Sequence, residues 1–387
     1  MFDYTKAINP AVAAIKPSGI RKYFGIAETM PNAISLGVGE PDFITPGHIM
    51  QAGIDSLSAG KTQYTANAGL LALRKEIADY QSRRFGLSYN PDDQVLVTVG
   101  GSEAIDLCLR AFLSAGDEIL IPEPCFVCYS PLAALSGATP VAIPTTKADS
   151  FKLTPEALKA AITPKTKMLL LSYPSNPTGA VLTKPELEAL AEVLRGTDIL
   201  VISDEIYAEL TYGFEHTSIA SLPGMWERTV VVSGFSKTYA MTGWRLGYCC
   251  GPSELILYAT RLHQYAMMCA STPAQYAGIQ AMRHGEGDVK AMREQYDARR
   301  RFLFENLTRL GFDCFEPQGA FYIFPDVSMY GKDGEDFAEK LLESQELALV
   351  PGSAFGDSGK NHVRISYAYS MAQLEEAIRR IGRFVKK

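Results

Sequence analysis

Six short apolar runs separated by stretches of helical spacing leave this chain few folds to choose from. They are Gln94–Val99, Glu118–Ile121, Pro140–Ile143, Met168–Ser172, Ile199–Ser203 and Thr229–Ser233. As a set they are rich in Val, Ile and Leu and bounded by Gly, Pro, Asp or Ser, which predicts strands. Between them, Glu103–Leu113, Pro155–Ile162 and Lys184–Leu194 carry apolar residues at helical spacing. Thr154 and Thr183 stand before the last two with a proline close behind, a pattern that starts helices. Strands alternating with helices predict an α/β domain with a mostly parallel sheet. Near-continuous apolar strands predict that helices cover both of its faces.

The chain has 387 residues, too many for one simple core, so a second domain is expected. The texture changes after about residue 280. Asp288–Leu310 reads as one long charged helix stopped by Gly311. Short strand-like pieces follow at Ala320–Phe324, Ala348–Val350 and Val363–Ser366, and an amphipathic helix runs from Met371. This is α+β texture. The expected division is a large ligand-binding domain over 48–280 and a smaller domain made of 281–387 with the N-terminal segment 1–47.

Several function classes are disfavoured. The net charge is −6 with no basic block, which argues against nucleic acid and anionic membranes as partners. No apolar run approaches the roughly 18–20 residues of a membrane span. Met1–Pro10 lacks the pattern of a signal peptide, so the cytoplasm is the expected location. The seven cysteines are scattered, and no disulfide framework is expected. Cys125 and Cys128 have CxxC spacing without a second ligand pair. They are read as two small side chains at a helix start, with no metal expected.

Ligands of open α/β sheets collect at the carboxyl ends of the parallel strands, so the residues after each strand carry the functional reading. Gly100-Gly101-Ser102-Glu103 opens a helix after the first strand. Glycines there let the backbone approach a phosphate, although many such turns are glycine-rich for packing alone. Asn176 follows the fourth strand in a proline-rich turn, as a turn former or as an amide facing a ligand. Asp204 and Tyr207 follow the fifth; Asp204 is either a helix cap or a ligand-facing carboxylate. Lys237 follows the sixth, among Gly234, Phe235 and Ser236, with Arg245 trailing. A lysine so placed is a candidate for a partly desolvated amine nucleophile. Each signal has a bland reading, but together they fit one aldehyde cofactor. The lysine would form a Schiff base, the carboxylate would face a pyridinium nitrogen, and hydrogen bonds would meet a phenolate.

The chain resembles the fold-type I enzymes that use pyridoxal 5′-phosphate (PLP), and among them the class I/II aminotransferases of the aspartate aminotransferase superfamily. The matching stretches are Ser35–Phe43 (SLGVGEPDF), Gln63–Gly69 (QYTANAG), Val97–Ala104 (VTVGGSEA) and Ser172–Gly179 (SYPSNPTG). They continue with Ser203–Tyr207 (SDEIY), Ser233–Gly247 (SGFSKTYAMTGWRLG) and His362–Ala368 (HVRISYA). The resemblance implies a large domain with a mostly parallel seven-stranded sheet and a smaller α+β domain. It implies that Lys237 carries PLP as a Schiff base, then shuttles the substrate proton. Asp204 would pair with the pyridine nitrogen, and Asn176 and Tyr207 with the phenolic oxygen. The phosphate would lie on Gly101, Ser102 and Glu103, with Ser236 and Arg245 completing its site. Phe126 would stack on the ring. Arg364, Asn176 and Gly39 would hold the substrate carboxylate. Tyr64 would reach the phosphate of the partner subunit, so a homodimer with a shared active site is implied.

The expected reaction moves an amino group from an L-amino acid (aspartate, aromatic or similar) to a 2-oxo acid such as 2-oxoglutarate. The alternative is a carbon–sulfur lyase on the same scaffold. Phe126 stands where aspartate-specific relatives often have tryptophan. No second arginine for a side-chain carboxylate stands out, with Arg21, Arg261 and Arg283 as the candidates. An NAD enzyme is disfavoured, because the first strand is not followed by GxGxxG and a later acidic residue.

Overall fold

The structure is a computed structural model that describes residues 2–16 and 30–386. Its centre is a sheet of seven strands. They are β2 (Val95–Thr98), β3 (Glu118–Glu123), β4 (Thr139–Pro144), β5 (Thr166–Ser172), β6 (Leu200–Asp204), β7 (Thr229–Gly234) and β8 (Gly247–Cys250), after the short N-terminal β1 (Ile34–Ser35). The spatial order is β2-β8-β7-β6-β5-β3-β4. β8 runs antiparallel to both of its neighbours, while β7, β6, β5, β3 and β4 are mutually parallel. All six strands expected from the sequence are present within a residue or two. The seventh, β8, was not located from its residues: Gly-Tyr-Cys-Cys lacks the β-branched enrichment that marks the others.

Side chains alternate across these strands. Leu169 and Leu171 of β5 pack with Leu187 and Leu190 on one face. Met168 and Leu170 pack with Ile105, Leu107 and Leu109 on the other. Both faces are therefore covered, as near-continuous apolar strands require. The helix starts follow the sequence closely. Thr154 accepts from the Ala157 N–H at 3.2 Å. Thr183 and Glu186 form a capping box at the helix Lys184–Leu194.

The C-terminal part packs around the helix Glu286–Arg309, with Tyr296, Leu303 and Leu307 meeting Phe337, Leu341, Ile365 and Ile381 in a core that Tyr207, Leu210, Tyr212 and Ala240 also join. Here β9 (Tyr322–Ile323), β11 (Val350–Pro351) and β12 (Val363–Ser366) form a three-stranded sheet in the order β11-β12-β9. The strand expected at Ala348–Val350 divides in two. β10 (Leu347–Ala348) runs parallel to β1, while β11 joins the three-stranded sheet. Segment 34–36 thereby lies against the C-terminal part. The Leu36 N–H donates to Ala348 O at 3.0 Å, and Leu36 O accepts from Ser366 at 2.8 Å. Among the described residues no helix is long and apolar enough to cross a membrane.

Candidate active site

A cavity of about 260 Å³ opens where the carboxyl ends of β5, β6 and β7 meet the C-terminal sheet. Of the residues singled out from the sequence, Gly39, Gly101, Ser102, Phe126, Asn176, Asp204, Tyr207, Ser236, Lys237, Arg245 and Arg364 line it. Two do not. The Glu103 carboxylate turns away, accepting from the Val99 N–H and pairing with buried His263 Nδ1 at 2.8 Å. Tyr64 is 79% exposed on the surface of this chain.

Gly100 precedes the helix Gly101–Phe112 with φ +80°. A side chain there would be strained, and its Cβ would lie 2.6 Å from the Arg245 guanidinium. A Cβ on Gly247 would come within 2.5 Å of Gly100 C and Gly101 N. Two glycines thus let β8 and the helix start press together. The first N–H groups of a helix have no carbonyl one turn back, and since Gly101 and Ser102 line the cavity this helix start can offer donors to an anion there.

Lys237 lies in a helical turn, Phe235–Thr238, directly after β7. Its Nζ donates to Gly39 O at 2.6 Å and lies 5.9 Å from the centre of the Phe321 ring. Burial lowers its pKa to about 8, aided by Arg364 and Arg245 and opposed by Glu40.

Asp204, at the end of β6, is 6% exposed. Its Oδ2 accepts from Tyr129 Oη at 2.6 Å, and its Oδ1 accepts from the Ile206 N–H at 3.2 Å. Among the described residues no cationic side chain pairs with it. Burial accordingly pushes its carboxyl up, and the Tyr129 hydrogen bond opposes this in part. Arg364 mirrors this situation with the opposite sign. It is 2% exposed, and it donates to Asn176 Oδ1 at 2.8 Å and to Gly37 O. Its guanidinium carbon sits 4.4 Å from the Tyr322 ring centre and 4.7 Å from that of Phe355. Its Nε is buried without a partner, and no described carboxylate pairs with it. Burial pushes its pKa down.

One cavity therefore holds a buried carboxylate lacking a cation, a buried guanidinium lacking an anion, and an amine neutral at mildly alkaline pH. Unmatched buried charges are costly, and a ligand carrying the complementary groups relieves them. PLP fits this donor set. Asp204 offers a partner for its ring nitrogen, Asn176 and Tyr207 for its phenolic oxygen, and the helix start with Ser102, Ser236 and Arg245 for its phosphate.

Sequence reasoning missed Tyr129, Ser172 and Tyr322. Tyr129 lies three residues after Phe126, and with its own proton on Asp204 its oxygen accepts from Ser172 Oγ at 2.9 Å. That spacing was the available signal. Tyr322 sits in the apolar run Ala320–Phe324, where nothing marks it out. The candidates for a second substrate arginine fall away from this chain's cavity. Arg283 pairs with Glu76 at 2.7 Å, Arg261 lies over the Tyr258 ring, and Arg21 lies outside the described residues. Cys125 is buried and Cys128 precedes the helix Tyr129–Leu135; burial pushes both thiols up.

Known proteins give the same answer. Residues 31–381 match the family Aminotransferase class I and II. The chain is 52% identical to the YugH protein of Bacillus subtilis over 99% of both chains. It is 43% identical to the aspartate aminotransferase of Pyrococcus abyssi over 98% of this chain and 99% of that one. The crystal structure of an aromatic aminotransferase from Pyrococcus horikoshii superposes with a TM-score of 0.90, at 43% identity, covering 95% of this chain and 98% of the other. None of this favours the lyase alternative. With the lysine after β7, the unpaired carboxylate at the end of β6 and the glycine-built helix start after β2 around one cavity, the chain belongs to the class I and II aminotransferases and is a PLP-dependent enzyme of that family.

Proposed function

We propose that the enzyme moves the amino group of an L-amino acid (aspartate, an aromatic amino acid or a similar one) to a 2-oxo acid such as 2-oxoglutarate, with Lys237 holding the cofactor. The observation that carries this reading is the pairing of two unmatched buried charges, Asp204 and Arg364, around Lys237. When bound, PLP supplies an aldehyde carbon for the amine and a ring that takes up the electron pair released at Cα.

The chain's own groups do the rest. Lys237 Nζ moves the proton off the substrate Cα, a role suited to an amine whose pKa is about 8. Asp204 holds the proton on the ring nitrogen, and Tyr129 holds Asp204. Asn176 receives Arg364 on its Oδ1, which turns its NH₂ donors elsewhere, toward the phenolic oxygen beside Tyr207. The backbone of Gly101, Ser102 and Glu103, the Ser102 and Ser236 hydroxyls and Arg245 hold the phosphate, and Phe126 covers the ring. Arg364 grips the carboxylate common to every amino acid and 2-oxo acid, next to Gly39. The same reading divides the chain into a large domain, 48–280, and a small one, 281–387 with 1–47.

Arg364→Lys tests the carboxylate grip. A point charge cannot reproduce the planar fork, so Michaelis constants for amino acids and 2-oxo acids should rise together, by roughly 10–100-fold. Cofactor retention should not change. A panel of donors and acceptors, scored by cofactor spectra, selects among aspartate, aromatic and other substrates. Unchanged Michaelis constants throughout would remove Arg364 from the site.

Tyr64 belongs, on this proposal, to the active site of a partner in a homodimer. Tyr64, Tyr265 and Ile44 are large apolar side chains left 79%, 86% and 81% exposed, which suits a covered surface. Lys237→Ala would disable its own site but lend a normal Tyr64. Tyr64→Asp would set a carboxylate against the partner's phosphate. Each variant alone should be nearly inactive, while mixed dimers should regain activity from the one site with both residues intact. Absence of rescue, or activity in a monomer, would refute the shared site.

A further inference from the structure

Tyr322 connects two parts of this site that the mechanism treats separately. In the antiparallel pair of β9 and β12, Tyr322 stands opposite Ser366. Side chains alternate along a strand, so Arg364, two residues before Ser366, shares their face. This register lays the Tyr322 ring against the Arg364 guanidinium at 4.4 Å. The ring is fully buried, and its Oη lies 2.8 Å from Tyr207 Oη. A Cβ on Gly39 would come within 2.5 Å of the Tyr322 Oη, so glycine at 39 leaves the hydroxyl its place.

Each phenol has one proton, and the two share one hydrogen bond. Among the described residues neither hydroxyl has another hydrogen-bond partner. If Tyr207 donated to Tyr322, it would turn only lone pairs toward the cavity. If Tyr322 donates, Tyr207 keeps its proton for an acceptor in the cavity. An anionic oxygen there selects the second arrangement. The incoming hydrogen bond then polarises the Tyr207 O–H and strengthens it as a donor.

We propose that Tyr322 is a positioning residue: its hydroxyl, held by the ring's contact with Arg364, donates to Tyr207 and sets the strength of the Tyr207 hydrogen bond to the phenolic oxygen of PLP. Burial raises the pKa of both phenols and the Arg364 charge opposes it, so both stay protonated and available as donors. The inference rests on the proposed placement of Tyr207 against that oxygen.

The test is a pH titration of the visible absorption of the holoenzyme without amino acid. Tyr322→Phe keeps the ring against Arg364 and removes only the hydroxyl; retention of the visible band reports that the variant folds and holds PLP. A weaker bond to the phenolic oxygen leaves more charge there, and the proton on the lysine–cofactor linkage is held more tightly. The titration midpoint should therefore rise, by about 0.5–1 pH unit. Tyr207→Phe should raise it further, and adding Tyr322→Phe to that variant should move it no more. A rise with Tyr207→Phe but none with Tyr322→Phe would overturn the inference and leave Tyr207 in place. Additive shifts in the double variant would also overturn it, because Tyr322 would then act independently of Tyr207. No shift with Tyr207→Phe would overturn both.

Discussion

Lys237→Ala should hold PLP only reversibly and turn over at least about 10⁵-fold more slowly, the scale on which loss of a central covalent residue is felt. Among the described residues no other primary amine lines the cavity. Borohydride should abolish the visible band of the wild-type protein irreversibly, and mass spectrometry should then find the cofactor on Lys237. The pH dependence of attachment follows from the lowered pKa of about 8. Below it the amine is protonated and cannot attack; above it the amine is neutral. Reattachment of PLP to cofactor-free protein should therefore quicken as pH rises through about 8 and then level off. An ordinary exposed lysine would still be gaining rate near its pKa of about 10.4. Cofactor on another lysine after reduction, or turnover close to wild type in Lys237→Ala, would refute the assignment.

Asp204→Asn should fold and lose roughly 10³–10⁴-fold in turnover, on the order of 4–5.5 kcal/mol in barrier, the scale set by other buried carboxylates that hold a catalytic ring in one protonation state. Asn keeps the shape: its Oδ1 can still accept the Ile206 N–H, while its NH₂, in the place of Oδ2, would donate to the Tyr129 oxygen instead of accepting from it. It brings no charge to hold a proton on the ring nitrogen. Removing a buried carboxylate that has no cation beside it among the described residues should leave stability unchanged or raise it. A protein with near-normal turnover and lowered melting temperature would make Asp204 a structural cap instead.

Much of the large sheet was legible because burial on both faces writes itself into composition. Met168–Ser172 and Thr229–Ser233 could hardly be anything but covered strands, and β5 and β7 cover those residues. β8 escaped because pairing, more than composition, makes it a strand. It is held antiparallel between β7 and β2, and Gly247 is there for close approach to Gly100 and Gly101. The split of Ala348–Val350 into β10 and β11 was equally invisible, since local propensity does not say which neighbour each half will meet.

The amino-acid sequence by itself determined the alternating α/β architecture, the order of chemical groups along the strand ends, and the family to which that order belongs. Those properties depend on residue type and spacing, which are local. Tertiary structure alone decided how the groups meet. It brings Arg364, 127 positions after Lys237, into the same cavity. Among the described residues it leaves Asp204 and Arg364 without partners of opposite charge, so that each asks for a ligand. It turns the Glu103 carboxylate to His263, stands Tyr129 behind Asp204, and joins Tyr322 to Tyr207 across 115 residues. The physical reason is that pKa shifts, unmatched charges and shared protons depend on distance and burial, and these arise only when segments remote in the chain are packed together.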